Sequence, residues 1–236
     1  MARRAGGKSR DDSSRSGRSR KPPAAPAGRL RIVAGMWRSR VLEIADVPGL
    51  RPTPERVRET LFNWLAPRIV GARCLDLYAG TGALGLEALS RGAREAVFVE
   101  KSPVALAALK RNVAALDAKG AVIAPGDAFA WLARAGGQRF DVVFLDPPFA
   151  DDVLGDLCRL LAERGVLTPA GRLYLEQGRA RALPDVTGQW TVLRNKAAGN
   201  VRYALLAPRA PGEAVDKNND KAGSEPGDDE ETSSCP

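Results

Sequence analysis

The stretch from Cys74 to Gly92, Cys-Leu-Asp-Leu-Tyr-Ala-Gly-Thr-Gly-Ala-Leu-Gly-Leu-Glu-Ala-Leu-Ser-Arg-Gly, admits few folds. Its first part, Cys74 to Tyr78, is a short apolar run with one acid, the pattern of a buried strand. It breaks into Ala79-Gly80-Thr81-Gly82, a turn almost without side chains. From Ala83 the spacing becomes helical, with Leu84, Ala88 and Leu89 on one face and Gly92 placed as a left-handed cap. A strand that feeds a helix through a glycine turn is the building unit of an α/β sheet. Its backbone is open to close approach by a ligand.

Two classes of ligand compete for such a loop. Gly80-x-Gly82-x-x-Gly85 fits the dinucleotide fingerprint, and Glu100 lies about twenty residues downstream as that fingerprint asks. Asp76 discriminates between them: an ionised carboxylate just ahead of the loop repels a pyrophosphate but welcomes the ammonium and sulfonium charges of S-adenosylmethionine. An ordinary strand–turn–helix connection with no ligand is the bland alternative.

Downstream of the loop, apolar strands alternate with helices: Ala96 to Glu100, a helix begun by Ser102-Pro103, Ala121 to Pro125, a helix after Asp127, then Phe140 to Leu145. This βαβαβ alternation predicts a parallel sheet. A helix near Asp151 to Arg164 and a strand from Arg172 to Glu176 continue it. Trp190 to Arg194 and Val201 to Leu206, joined by Lys196 to Asn200, read as a closing antiparallel hairpin. Upstream, Leu30 to Ile44 reads as two short strands around a glycine turn. Thr53 as N-cap and Pro54 at the first helical position open a helix whose buried face is Val57, Leu61, Trp64 and Leu65. The expected fold is therefore α/β, a Rossmann-like sheet, mostly parallel with a C-terminal antiparallel hairpin strand, flanked by helices and preceded by a small N-terminal β-hairpin and helix. The expected division is a disordered basic arm over 1–28, the hairpin and helix over 29–65, the sheet domain over 66–209 and a disordered acidic tail over 210–236.

At 236 residues and 44% hydrophobic content, the chain supports one well-cored domain with appendages. No apolar run approaches the roughly 18 residues that span a bilayer, and no hydrophobic segment follows the charged N-terminus, so the expectation is a cytoplasmic protein with no membrane partner. The three cysteines, Cys74, Cys158 and Cys235, show no metal-ligand spacing, and the absence of histidine excludes imidazole acid–base chemistry and histidine metal sites. No metal is expected. The formal charge of +8 is distributed unevenly: residues 1–28 carry eight bases and two acids, residues 210–236 two bases and eight acids, so the arm (+6) and the tail (−6) cancel. The surplus lies within 29–209, which fits a polyanionic partner, although basic surfaces also occur without one. Arg29, Arg31, Arg38 and Arg40 beside Trp37 suit phosphate pairing and base stacking, or make a solvated hairpin face.

The chemistry gathers at strand ends. In open parallel sheets ligands bind outside the carboxyl ends of the strands, where Asp76, Glu100, Asp127 and Asp146 all fall. Glu100 is suited to the two hydroxyls of a ribose. Asp127 is suited either to an adenine amino group or to capping the next helix. Asp146-Pro147-Pro148-Phe149 directly follows its strand, and its prolines supply carbonyl acceptors without N–H donors. An exocyclic amine is a poor nucleophile because its lone pair is delocalised into the base ring. With both N–H bonds held by fixed acceptors, the Asp146 carboxylate and the Pro147 carbonyl, the lone pair can be aimed at a methyl group. Phe149 can stack on a base taken out of its helix.

These residues resemble S-adenosylmethionine-dependent amino-methyltransferases. More narrowly, Arg31-Ile-Val-Ala-Gly35, Arg51-Pro-Thr53, Arg56-Val-Arg-Glu-Thr-Leu-Phe-Asn63 and Leu84 to Gly92 resemble the RsmD family, across about residues 29–207. The resemblance implies methylation of the N2 amine of one guanine in 16S rRNA, within a partly or fully assembled small ribosomal subunit, by a monomer. It implies donor binding by Asp76, Ala79, Gly80, Thr81, Gly82, Glu100, Asp127 and Ala128. It also implies catalysis by Asp146, Pro147, Pro148 and Phe149, and RNA contacts from Arg31, Trp37, Arg38, Arg40, Arg51 and Arg56. Three rival readings remain open at this point: an adenine-N6 methyltransferase acting on DNA or RNA, a nicotinamide dehydrogenase, and a non-catalytic RNA-binding assembly factor.

Overall fold

The computed structural model describes residues 29–45, 47, 53–186 and 188–209. The expected basic arm, the acidic tail and Arg51 lie outside the described residues. Among the described residues no helix is long and apolar enough to cross a membrane.

The order of elements is β1 (Arg29–Arg31), β2 (Val41–Glu43), α1 (Glu55–Ile69), β3 (Arg73–Asp76), α2 (Ala83–Ser90), β4 (Glu95–Glu100), α3 (Pro103–Ala115), β5 (Ala121–Pro125), α4 (Ala128–Arg134), β6 (Phe140–Leu145), α5 (Leu154–Glu163), β7 (Leu167–Gly178), β8 (Trp190–Ala198) and β9 (Val201–Pro208). Strands β3 to β9 form one seven-stranded sheet in the order β5-β4-β3-β6-β7-β9-β8. β9 runs antiparallel to both β7 and β8, while the β5-β4-β3-β6-β7 block is parallel. The expected Rossmann-like sheet with a reversed C-terminal strand is therefore present. The chain leaves β3 in one direction and returns to β6 on the other side of it, which makes the β3–β6 boundary the switch point where such sheets bind ligands.

Alternation along the strands divides the interior into two layers, because successive strand residues point to opposite faces. Cys74, Phe98, Val142, Phe144 and Tyr174 join α1, α2 and Leu109 of α3 on one face. Leu75, Val97, Val143, Leu145 and Leu175 join Leu132 of α4 and Leu157 and Leu161 of α5 on the other. Each fully buried Leu or Phe contributes about 1.5–3 kcal/mol of apolar transfer. The two layers together hold the strand ends at a common level.

Three details depart from the sequence expectation. α1 runs to Ile69 and so passes the expected boundary at 65, and its apolar face shares one core with the sheet. Pro54, not Thr53, occupies the cap position of α1, and no side chain caps the helix. The last two strands are longer than expected, and only Gly199 and Asn200 join them. Gly199 has φ +57, the left-handed value that a two-residue hairpin needs at its first turn position.

Candidate active site

β3 ends on Asp76, whose side chain is 2% exposed and whose Oδ2 accepts the Gly85 N–H at 3.1 Å. Burial pushes this carboxyl up to about 7, the Gly85 N–H pulls the other way, and the negative charge of Glu100 adds to the rise. Gly80 and Gly82 have φ of +53 and +91, in the region that favours glycine. A Cβ on Gly82 would stand 2.6 Å from Leu109 Cδ1, and one on Gly85 would stand 2.2 Å from the Phe98 ring. Those two glycines thus admit the protein's own side chains. Gly80 donates its N–H to Glu100 Oε2 at 2.7 Å, and Ser102 N–H reaches the other Glu100 oxygen at 2.7 Å. Glu100 thereby ties the glycine turn to the start of α3, with a second lone pair on each oxygen still able to accept from a hydroxyl.

Ala79, Thr81 and Ala128 are buried beside this loop and at the start of α4. Asp127 is exposed and caps α4, its Oδ1 accepting from Phe129 N–H at 2.9 Å and Ala130 N–H at 3.2 Å. Both bonds use one oxygen, so the capping role does not exclude a second one. Asp76, Glu100 and Asp127 put three carboxyls at the ends of consecutive strands β3, β4 and β5. An acidic rim that ends on a buried carboxyl fits a cationic donor such as S-adenosylmethionine and disfavours a pyrophosphate.

Asp146 follows β6 directly. The β3–β6 register pairs Asp76 with Phe144, so Asp146 stands one strand across and two residues further, about 7 Å along the strand. The Thr53 hydroxyl, 2% exposed, donates to Asp146 Oδ2 at 3.2 Å. That bond explains why Thr53 does not cap α1. The Pro148 carbonyl accepts the Asp151 N–H at 2.9 Å, which leaves the Pro147 carbonyl as the proline acceptor for an outside donor. The Phe149 ring is 41% exposed at the rim. Pro147, Pro148 and Phe149 line one small pocket together with Glu176, Gln177 and Arg181.

Sequence reading missed Glu176. It ends a predicted strand, as the four chosen acids do, but no motif follows it. The β6–β7 register, Leu145 opposite Leu175, sets it beside Asp146. It is 2% exposed, and its Oε2 accepts the Tyr174 hydroxyl at 2.8 Å. Burial and the neighbouring Glu176 charge hold Asp146 well above the usual carboxylate range, and burial pushes Glu176 up to about 7.

Arg58 and Glu87 were also missed as a pair. Arg58 lies off the apolar face of Val57, Leu61, Trp64 and Leu65, yet it is fully buried. Its guanidinium reaches Glu87 Oε2 at 3.2 Å, the Arg31 carbonyl at 2.8 Å and the Thr53 carbonyl at 3.2 Å. Glu87 also accepts the N–H groups of Val33 and Ala34 and the Arg91 guanidinium. Gly35 completes the junction, since a Cβ there would fall 1.9 Å from the Ser90 carbonyl oxygen.

The expected RNA contacts are divided by this junction. Arg31 and Arg56 are exposed near Thr53. Trp37 is half-buried against the core, and its backbone N–H donates to Ser90 Oγ. Arg38 follows it, and Arg40 reaches the Ala115 carbonyl at the end of α3 at 2.9 Å. Trp37, Arg38 and Arg40 therefore stand by the C-terminal ends of α2 and α3, a helix length of about 12 to 20 Å from the strand ends.

Residues 30–207 match the family model described as conserved hypothetical protein 95. The chain is 45% identical over 195 residues to ribosomal RNA small subunit methyltransferase D of Escherichia coli K12, covering 83% of this chain and 98% of that protein. The solved structure of yhhF from Escherichia coli, named as a methyltransferase, superposes with a TM-score of 0.71 at 45% identity over 78% of this chain and 99% of that one. An RNA methyltransferase of Salinibacter ruber, solved with S-adenosyl-L-homocysteine, shares the fold at 22% identity and a TM-score of 0.54, covering 71% of this chain and 100% of that one.

Proposed function

The chain belongs to the RsmD family, and from that premise we propose that it transfers a methyl group from S-adenosylmethionine to the exocyclic N2 amine of one guanine in the 16S rRNA of a partly or fully assembled small ribosomal subunit. The observation that carries this reading is the adjacency of Asp76 and Asp146 across the switch point, a cation-accepting carboxyl beside an amine-accepting one. Asp76, Ala79, Gly80, Thr81, Gly82, Glu100, Asp127 and Ala128 would hold the donor, which brings the electrophilic methyl group. Asp146 and the Pro147 carbonyl accept the two amine N–H bonds, so that the nitrogen lone pair is no longer shared with the ring. Pro148 shapes the turn and Phe149 stacks on the extruded base.

Arg31 and Arg56 are placed to hold phosphates beside that base. Arg38, Arg40 and Trp37 serve a more distant stretch, which a substrate of ribosomal size can reach. Arg51 belongs to the same proposal. A monomer acting in the cytoplasm is sufficient, because every proposed catalytic and donor-binding residue comes from one chain.

The deciding experiment transfers labelled methyl to small subunits that lack the modification, then identifies the nucleoside and maps it. N2-methylguanine at a single 16S position is the expected product. N6-methyladenine would establish the rival specificity, and absence of transfer would favour an assembly factor.

A further inference from the structure

Residues 177–209 carry six bases and one acid, so this stretch holds +5 of the +8 surplus of residues 29–209, and the proposed function gives those charges no task. Their position narrows what they can meet. The strand registers carry one level across four strands: Leu145 opposite Leu175 sets Asp146 beside Glu176, Glu176 is opposite Tyr203, and Tyr203 is opposite Lys196. Alternation puts these four side chains on the face that holds α1, where Thr53 meets Asp146. Lys196 therefore ends the row that begins at Asp146, three strand spacings or about 14 Å away. Arg194, opposite Leu205, lies on the same face of β8. α1 forms the other side of this surface. Trp64 stacks on Tyr203 with ring centroids 5.4 Å apart. At 3.6 residues per turn, Arg56 and Thr60 share the stripe of Trp64 while Glu55 and Glu59 turn away from it. Arg56, Arg194 and Lys196 are exposed. Among the described residues none of the three pairs with a carboxylate.

We propose that the surface between α1 and the edge strand β8, through Lys196 and Arg194 together with Arg56, holds the phosphates of the rRNA strand that leads away from the target base. The proposal rests on the reading of Asp146 as the acceptor of a base amine in rRNA. A base taken out of its helix leaves its sugar and phosphates at the mouth of the site, so the strand has to cross the rim of the sheet. The two halves of that rim differ in charge. Asp76, Glu100 and Asp127 end β3, β4 and β5 and repel phosphates. On the other side of Asp146 the row runs to Lys196, and an ammonium and a guanidinium on β8 attract them. β8 is also the edge of the sheet, where a lysine and an arginine can serve only to keep a second copy from pairing with it. The two roles differ in what salt does to RNA binding.

Binding of small subunits lacking the modification is measured against salt concentration, with S-adenosyl-L-homocysteine in place of the donor so that no transfer occurs. Lys196→Ala and Arg194→Ala should each weaken binding by up to about fivefold, the upper worth of an exposed ion pair. Each should also lower the magnitude of the log–log salt slope by about 0.7–0.9. Lys196→Arg should keep the slope, and Lys196→Glu should weaken binding more than Lys196→Ala. The single-turnover rate at saturating subunits and the affinity for S-adenosylmethionine should both stay at their wild-type values, since these side chains meet neither the reacting atoms nor the donor. An unchanged slope in the Arg194→Ala, Lys196→Ala double variant would overturn the proposal, whether or not that variant self-associates through β8. So would a double variant whose loss lies in the saturated rate or in donor affinity. Wild-type protein that methylates no base in these subunits would instead bring down the reading of Asp146 on which the proposal rests.

Discussion

Arg58 and Glu87 form an ion pair at 3.2 Å whose side chains are 1% and 0% exposed. The pair joins three parts of the molecule, since Arg58 holds the carbonyls of Arg31 and Thr53 while Glu87 holds the N–H groups of Val33 and Ala34. The N-terminal hairpin, the entry to α1 and the helix of the glycine loop are thereby one rigid unit.

Removing one partner leaves a buried charge without compensation. Glu87→Ala should therefore destabilise the fold by about 3–5 kcal/mol in urea denaturation. An Arg58→Met, Glu87→Leu double variant, which removes both charges, should be less destabilised than Glu87→Ala. A Glu87→Ala variant as stable as the wild type would show that the pair is not what fastens the hairpin.

Asp76 predicts a pH dependence with a definite sign. Its folded value, raised to about 7 by burial from an ordinary 3.8, means that folding favours the protonated form. The stability this contributes is present below the unfolded value and is lost as pH rises through about 7. Unliganded protein should lose stability from about pH 4 to about pH 7, and Asp76→Asn should flatten that decline. A cationic donor favours the ionised form, so S-adenosylmethionine should bind more tightly as pH rises across this range and should release a proton on binding. Calorimetry in two buffers of different ionisation enthalpy measures that proton. Binding without proton release would place the donor away from Asp76.

Glu100 fastens the glycine turn to the start of α3, and the proposed function also gives it the donor ribose. Glu100→Ala should weaken S-adenosylmethionine by roughly 1.5–3 kcal/mol, the range for hydrogen bonds to charged groups. Part of that loss should come from freeing the Gly80 and Ser102 N–H groups. Glu100→Gln keeps acceptor oxygen for only some of these bonds and should fall between Glu100→Ala and the wild type. Unchanged affinity in folded Glu100→Ala would remove this residue from the donor site.

Asp146→Ala should slow turnover by at least about a hundredfold while donor affinity changes only a few fold, by analogy with the loss of one preorganised electrostatic group. Asp146→Asn should be impaired less, because its amide oxygen still accepts the amine. Equal loss of kcat and donor affinity in Asp146→Ala would argue for a structural role.

RNA binding should weaken steeply with salt, and removing one arginine that pairs with a phosphate should lower the magnitude of the log–log slope by about 0.7–0.9. Arg38→Ala with Arg40→Ala tests the distant surface, and Arg56→Ala the surface beside Thr53. A variant with an unchanged slope identifies arginines that are only solvated or, as the Arg40 hydrogen bond to the end of α3 suggests, structural.

Local pattern was enough to reveal a large share of this protein. The apolar run, glycine turn and helical spacing of residues 74–92 determine β3, its loop and α2, because each depends on residues a few positions apart. The alternation after them gives the parallel sheet, and the rule that ligands meet the carboxyl ends of strands makes Asp76, Glu100, Asp127 and Asp146 candidates. Tertiary structure alone decided what those acids touch. Thr53 looks like a helix cap until a strand 93 residues away brings Asp146 to its hydroxyl. Arg58 looks like a surface charge until Glu87, 29 residues on, meets it in the core. Glu176 joins Asp146 only through the register of β6 and β7. A short polar side chain has several local uses of similar energy, so which of them it takes is settled by the long-range packing that brings its partner within about 3 Å.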